Sequence, residues 1–249
     1  MTQSDAVRRE LVAANHILAH EGVLDAFGHV SVRNPADAGR YLLSRSRSPE
    51  IVADADIRSF TLDSTPMEPE SGPFYMERVI HGALYQLRPD VSAVCHFHAP
   101  PIMPFCVTGM EIVPVTHLGA TMGAKVPFWS GQDSFGDTNM LVSTAEEGAS
   151  LAKAMGSNWS VLMANHGAVV AGRTLREVVF RAIHFCRNAE VLGASLRLGS
   201  VTPLTAGEIR LASEVNLQDV VLQRAWDYWL HRVPRDGDRW PRQAGTAAG

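Results

Sequence analysis

The sequence predicts an α/β domain, and three observations carry that expectation. Residues 27–33 and 41–43 alternate apolar and polar groups, as half-buried strands do. Residues 4–21, 73–87, 144–155 and 174–198 repeat apolar groups every three to four positions, the stripe of a helix packed on one face. Short apolar runs at 91–98 and 159–172, interrupted by turn residues, fit strands buried on both faces.

Taken in order, the first helix covers residues 4–21 with the stripe Val7, Leu11, Ala14 and Leu18; Ser4-Asp5 can cap it and Gly22 can end it. In the strand 27–33, Val30 and Val32 share one face while His29, Ser31 and Arg33 share the other. A turn at 34–39 leads to the strand 41–43, completing a hairpin, and the polar loop Ser44-Arg45-Ser46-Arg47-Ser48-Pro49 follows. A third strand is expected over 57–62. Pro73 suits the first turn of a helix ending at Leu87, with the stripe Met76, Ile80, Leu84 and Leu87. Glu77 and His81 lie four apart on another face of that helix. Arg88-Pro89-Asp90 breaks it before the strand 91–98.

Residues 99–130 suggest short helices near 100–107 and 117–122 and strands near 112–115 and 125–129. The helix 144–155 carries Glu146 and Glu147 in its first turn, where they complement the helix dipole. Two strands flank Asn165-His166-Gly167, the glycine permitting a tight bend. The long helix 174–198 and one or two helices over 206–232 complete a single domain, residues 1–232. Apolar groups thin out afterwards, so residues 233–249 are expected to form a disordered tail.

Composition narrows the function classes. The net charge of -4, with no basic stripe, argues against nucleic acid as partner; the densest cationic stretch, Arg40 to Arg47, is too short to neutralise many phosphates. No uninterrupted apolar run reaches membrane-spanning length, and the N-terminus has no basic-then-apolar signal. Cys95, Cys106 and Cys186 lie in apolar surroundings without metal-type spacing, which fits a reducing, cytoplasmic compartment.

The chemistry concentrates at the end of the strand 91–98. Because side chains alternate, His96 and His98 point one way and Phe97 the other. Two imidazoles on one face can grip a divalent metal ion, although a pair at this spacing is about as often structural. Three further elements decide the matter: a glutamate at a helix start, a third histidine in a His-Gly step, and the order in which they come.

Glu77, His96-Phe97-His98 and Asn165-His166-Gly167, with Gly28-His29-Val30-Ser31-Val32-Arg33 and Arg88-Pro89-Asp90, together resemble the class II aldolase/adducin family over roughly residues 8–200. The resemblance implies a three-layer α/β/α fold around a mostly antiparallel sheet. It implies His96, His98 and His166 as ligands of one divalent transition metal per chain (zinc or manganese, with iron as a third choice). It also implies a homotetramer with active sites at subunit boundaries, where Trp226, Tyr228 or Trp229 could complete a neighbour's pocket, although packing is the better account of all three. Three neutral imidazoles leave coordination positions open for substrate, and Glu77 can serve as general acid/base or extra ligand. His16, His20, His81, His184 and His231 are read as structural or surface groups.

The sequence departs from the sugar-phosphate aldolases of the family. Their phosphate cradle of small polar groups is replaced by His29, by Ser44, Arg45 and Arg47, and by Phe74 and Tyr75 ahead of the glutamate. A tyrosine acid of those aldolases falls at His117. The altered pocket suits a carboxylate held by arginine and a flat apolar ring. It therefore resembles more closely the family's decarboxylase branch, which acts on ortho-hydroxy aromatic dicarboxylates such as 3,4-dihydroxyphthalate or 3-hydroxy-2-methylpyridine-4,5-dicarboxylate. On that reading Glu77 or His117 returns the proton. The alternatives are aldol cleavage of a hydroxy-keto substrate and a non-catalytic adducin-like interaction domain.

Overall fold

Alternation along seven short strands builds one sheet with two apolar faces. In the computed structural model, which describes residues 3–68 and 72–234, the strands are β1 (His29–Arg33), β2 (Arg40–Ser44), β3 (Ile57–Thr61), β4 (Ala93–Phe97), β5 (Phe128–Trp129), β6 (Ser160–Met163) and β7 (Gly167–Gly172). Their order is β3-β2-β1-β4-β7-β6-β5, antiparallel at every step except the β5–β6 edge. The helices are α1 (Gln3–His20), α2 (Arg78–Leu87), α3 (Met103–Thr108), α4 (Gly131–Phe135), α5 (Ala145–Met155), α6 (Leu175–Leu196), α7 (Ala206–Asn216) and α8 (Asp219–Arg232). The expected α/β fold with a mostly antiparallel sheet flanked by helices is what forms. Among the described residues no helix is long and apolar enough to cross a membrane.

Each face of the sheet has its own core. Val30, Val32, Cys95, Phe97, Ala168 and Val170 pack with Leu11 and Leu18 of α1, Val178 and Phe185 of α6, and Trp226 of α8. Tyr41, Leu43, Val94, Val161, Val169 and Ala171 pack on the other side with Ile80 and Leu84 of α2 and Leu151 and Met155 of α5. Alternation along β4 therefore drives Cys95 and Phe97 into the α1/α6 core and turns His96 toward the α2 side. Phe97 is fully buried, its ring 6.4 Å from that of Phe185. Removing such a ring costs about 3–5 kcal/mol, so the strand end that carries both histidines is firmly anchored.

The structure corrects several local expectations. The helix expected from Pro73 starts at Arg78, because residues 73–76 are held by tertiary contacts instead. The Pro73 carbonyl accepts from the Ser46 N–H at 2.8 Å, the Phe74 ring packs edge-on against Phe60 at 5.4 Å, and the Tyr75 hydroxyl donates to the Arg47 carbonyl. Met76 and Leu87, assigned to the core stripe, are exposed, whereas Ile80 and Leu84 are buried as expected. No strand forms over 112–115, and the strand near 125–129 shrinks to β5. The helix near 117–122 is a single 3-10 turn, Gly119–Met122. The three cysteines are free and buried. The tail expected over 233–249 lies outside the described residues beyond Pro234.

Candidate metal centre and active site

Three backbone features converge on one point. β4 carries His96 next to its last residue and His98 just beyond it, and β1 and β7 flank the strand, with His29 and Val169 as the Cα partners of His96. The bend between β6 and β7 presents His166; Asn165 there takes a left-handed conformation (φ 54°), which asparagine tolerates. Gly167 allows the bend to close on β4, because a Cβ there would meet the Phe97 carbonyl and sit 3.0 Å from the His98 ring. Glu77 occupies the N-cap of α2 without capping it. Its Oε1 accepts instead from the Val142 N–H at 3.0 Å.

The side chains meet through their inner atoms. His96 Nε2 and His98 Nε2 are 3.0 Å apart, Glu77 Oε2 is 3.4 Å from His96 Nε2, and Glu77 Oε1 is 3.5 Å from His166 Nε2. One ligand atom from each of Glu77, His96, His98 and His166 lies within 4.8 Å of all the others. His96 Nδ1–H donates to the Ala168 carbonyl at 3.1 Å, so its Nε2 carries a lone pair. His98 Nδ1 faces the Asp25 carboxylate at 3.5 Å, and Asp25 is itself fixed by the Phe27 and Gly28 N–H groups. Lone pairs and a carboxylate converging this closely repel one another unless a cation lies between them. These three separations, 3.0–3.5 Å, are close to the roughly 3.3 Å edge of a tetrahedron built on 2.0–2.1 Å metal–nitrogen bonds, within a set that spans up to 4.8 Å. The donor set therefore fits a divalent transition metal.

Electrostatics keep the donors in the required forms. Burial opposes the Glu77 charge, but the neighbouring His96 and His166, each within 3.5 Å of a carboxylate oxygen, outweigh it and hold the carboxyl well below its usual range. Burial first, and then His96 and His166, push His98 down to about 4. Burial and the neighbouring His81 and His96 lower His29 likewise, and burial followed by His96 takes His81 down to about 3. These are neutral rings at physiological pH.

The other expected residues fall into two groups. Tyr75 joins the centre: its ring lies 4.5 Å from that of His29, which in turn lies 5.2 Å from that of His96. Through its hydroxyl Tyr75 also holds the Arg47 backbone. Arg45 and Arg47 share one anchor, with Nε atoms 2.7 and 3.5 Å from the two oxygens of Asp56. Ser44 Oγ is buried near the Tyr75 hydroxyl, with no hydrogen bond of good geometry among the described residues. Phe74, by contrast, is spent on packing against Phe60.

His117 is not brought to the cluster within one chain. It is exposed, and its carbonyl accepts from Asn216 Nδ2 at 3.2 Å. Trp226 and Trp229 are buried in the α6–α8 packing, while Tyr228 is exposed. Sequence reasoning missed Asp25 and Asp56, lone loop carboxylates with no pattern to mark them. It read His81 as structural, yet His81 Nε2 lies 2.7 Å from His29 Nδ1. A cavity of about 260 Å³ beside His166, lined also by Trp129, Gln132 and Asp137, had no sequence signal either.

Comparison with known proteins identifies the family and the fold. The family described as Class II Aldolase and Adducin N-terminal domain matches residues 9–192. Decarboxylase tropJ of Talaromyces stipitatus is 31% identical, over 92% of this chain and 94% of its own. The 3,4-dihydroxyphthalate decarboxylase of Arthrobacter keyseri is 30% identical, over 71% of this chain and 73% of its own. Among solved structures, an aldolase II superfamily protein from Pseudomonas syringae has a TM-score of 0.78 at 18% identity, covering 96% of each chain. The L-fuculose 1-phosphate aldolase from Glaciozyma antarctica has a TM-score of 0.76 at 18% identity, covering 93% of this chain and 89% of its own, a likeness of fold alone. This chain belongs to the class II aldolase/adducin family.

Proposed function

We propose that this protein is a metal-dependent carbon–carbon lyase that removes carbon dioxide from an ortho-hydroxy aromatic or pyridine dicarboxylate. The observation that carries the reading is the convergence of Glu77, His96, His98 and His166 on one point, with Tyr75 against His29 beside it and hydrogen-bonded to the Arg47 backbone. The decarboxylase names of the relatives, at about a third identity, favour carbon dioxide over an aldehyde as the leaving fragment.

A zinc or manganese ion bound there supplies Lewis-acid stabilisation of the charge that develops on the ring oxygen as the carbon–carbon bond breaks. Arg45 and Arg47 hold the carboxylate that stays: Arg45 Nε donates to Asp56 at 2.7 Å, Arg47 Nε donates to the Ile51 carbonyl at 3.4 Å with Asp56 3.5 Å away, and the terminal nitrogens of both have no hydrogen bond among the described residues. Tyr75 and His29 wall the ring. The electron pair left on the ring carbon takes a proton, and we assign its transfer to Glu77 Oε2, the oxygen that no backbone N–H among the described residues holds: as a carboxylate it takes the proton of the substrate's ortho-hydroxyl, then returns it to the ring carbon once carbon dioxide has left. In a tetramer with sites at subunit boundaries, the exposed His117 of a neighbour is the second candidate for that proton.

The test is a panel of hydroxy aromatic dicarboxylates and hydroxy-keto compounds offered to the zinc- or manganese-loaded protein. Carbon dioxide from 3,4-dihydroxyphthalate or its pyridine counterpart supports the reading. Cleavage of a hydroxy-keto compound without carbon dioxide release replaces it with aldolase activity. A protein that binds no metal and turns over nothing is an adducin-like interaction domain.

A further inference from the structure

Behind the three imidazoles runs a buried hydrogen-bonded row, of which the chemistry above uses only His29, as a wall of the ring. His29 Nδ1 is 2.7 Å from His81 Nε2, His81 Nδ1 is 2.6 Å from Ser31 Oγ, and Ser31 Oγ is 2.7 Å from the Tyr85 hydroxyl. The four residues are at most 1% exposed. β1 contributes His29 and Ser31 from one face, and α2 contributes His81 and Tyr85 four positions apart, so the two elements interlock by alternation against helical repeat.

Proton counting gives this row a direction. Among the described residues, Ser31 Oγ is the one acceptor offered to the Tyr85 hydroxyl. The Val94 backbone N–H faces the same oxygen but is itself a donor. If Ser31 donated to Tyr85, the phenolic proton would be sealed in the core with nothing to accept it, an arrangement folded proteins avoid. Tyr85 therefore donates to Ser31, Ser31 donates to His81 Nδ1, and His81 Nε2–H donates to His29 Nδ1. A neutral imidazole that accepts at Nδ1 carries its proton on Nε2. That nitrogen of His29 has no hydrogen-bond partner among the described residues, although the residue is 1% exposed and stands beside His96. A donor nitrogen with no acceptor in the described residues, and not among the atoms sealed in the core, marks a place for a ligand oxygen.

We infer that Tyr85, Ser31 and His81 are positioning residues that lock His29 as its Nε2–H tautomer, making it a neutral hydrogen-bond donor to an anionic oxygen of the substrate. The identity of that oxygen, on an aromatic dicarboxylate, rests on the function proposed above; the tautomer does not. A preorganised donor aimed at an anion stabilises it, whereas the opposite tautomer would turn a lone pair toward it.

The test uses the zinc-loaded full chain with 15N-labelled histidine, read by two-bond proton–nitrogen correlation, with His29→Gln for assignment. Wild type is expected to show a protonated Nε2 and a bare Nδ1 at His29, and phthalate, as an unreactive dicarboxylate probe, should shift the Nε2 proton. His81→Gln keeps an N–H toward His29; His81→Met removes it at similar volume; Tyr85→Phe removes the first proton of the row. The Gln variant should keep the tautomer and hold kcat/KM for 3,4-dihydroxyphthalate within about threefold, while the Met variant mixes tautomers and loses ~10²-fold, the usual effect of losing one oxyanion donor. Tyr85→Phe should mix the tautomers without disturbing the packing of its ring. A wild-type His29 protonated at Nδ1, or a tautomer unchanged in both His81→Met and Tyr85→Phe, overturns the inference. Absence of turnover with the tautomer pattern intact overturns only the decarboxylase reading, and a His29 signal unmoved by phthalate overturns the donor role.

Discussion

Replacing Gly167 by alanine tests whether the approach of β7 to β4 sets the spacing of the metal donors. The added Cβ would lie 3.0 Å from the His98 ring and 3.2 Å from the Phe97 carbonyl carbon, with the Phe97 oxygen nearer still. Carbon atoms pack comfortably at about 3.5–4.0 Å, so the bend carrying His166 must retreat from the end of β4 by roughly 1 Å. Overpacking of this kind costs about 1–3 kcal/mol. At this chain length each kcal/mol moves the midpoint by about 2–4 °C, so the melting temperature should fall by roughly 2–12 °C. The same retreat separates His166 from His96 and His98, and a loss of about 10–100-fold in zinc affinity follows by analogy with mutations that disturb the support of metal ligands. Calorimetric titration of zinc and thermal unfolding read the two effects separately. Gly193→Ala is the control, because nothing lies within 4 Å of a Cβ at that position in α6 and alanine is the better helix former. A Gly167→Ala protein that melts and binds zinc like wild type would refute the idea that this close approach holds the centre together.

Other substitutions separate the roles assigned within the site. Glu77→Gln keeps the shape but removes the charge, so zinc binding should survive on three imidazoles while turnover falls at least ~10²-fold, as loss of an acid/base group does; activity within threefold of wild type contradicts that role. Arg47→Met should raise KM for the dicarboxylate by about 10–100-fold, the worth of a charged hydrogen bond, with little change in metal content; an unchanged KM removes Arg47 from the pocket. Acid stability offers a third check away from the metal. Burial, and secondarily Arg187, hold His184 at about 4 against an ordinary 6.5, so the unfolded chain takes up this proton first as pH falls. Its contribution is intact above pH 6.5 and drains away toward pH 4. His184→Leu should flatten that part of the melting-temperature profile, and a profile parallel to wild type would contradict the assignment.

The sheet and the candidate metal donors were legible because they depend on local repeats. Alternation in 91–98 turns His96 and His98 to one side, and the His166-Gly167 step marks a bend whatever surrounds it. Helix boundaries were legible where a cap settles them, as Thr144 and Thr174 do for α5 and α6. The start of α2 was not, because Pro73 is a plausible first helical residue and only contacts with Ser46, Phe60 and Arg47 hold residues 73–76 out of the helix. The same contacts explain why Phe74 packs into the core side while Tyr75 reaches His29. His81 shows the limit most clearly. Its spacing from Glu77 was visible, but that it meets His29 depends on how α2 lies across β1, which no repeat in the chain encodes. Asp25 and Asp56 are single carboxylates that act by holding His98 and two arginines, and such partnerships exist only in three dimensions.

X-ray absorption spectroscopy of the zinc-loaded protein tests the central claim most directly, alongside metal analysis of wild type and the His96→Ala, His98→Ala and His166→Ala variants. The account predicts one zinc per chain with three imidazole nitrogens at about 2.0–2.1 Å and the remaining positions filled by oxygen, and loss of stoichiometric metal in each variant. Zinc bound without imidazole in its shell, or retained in full by all three variants, would contradict it.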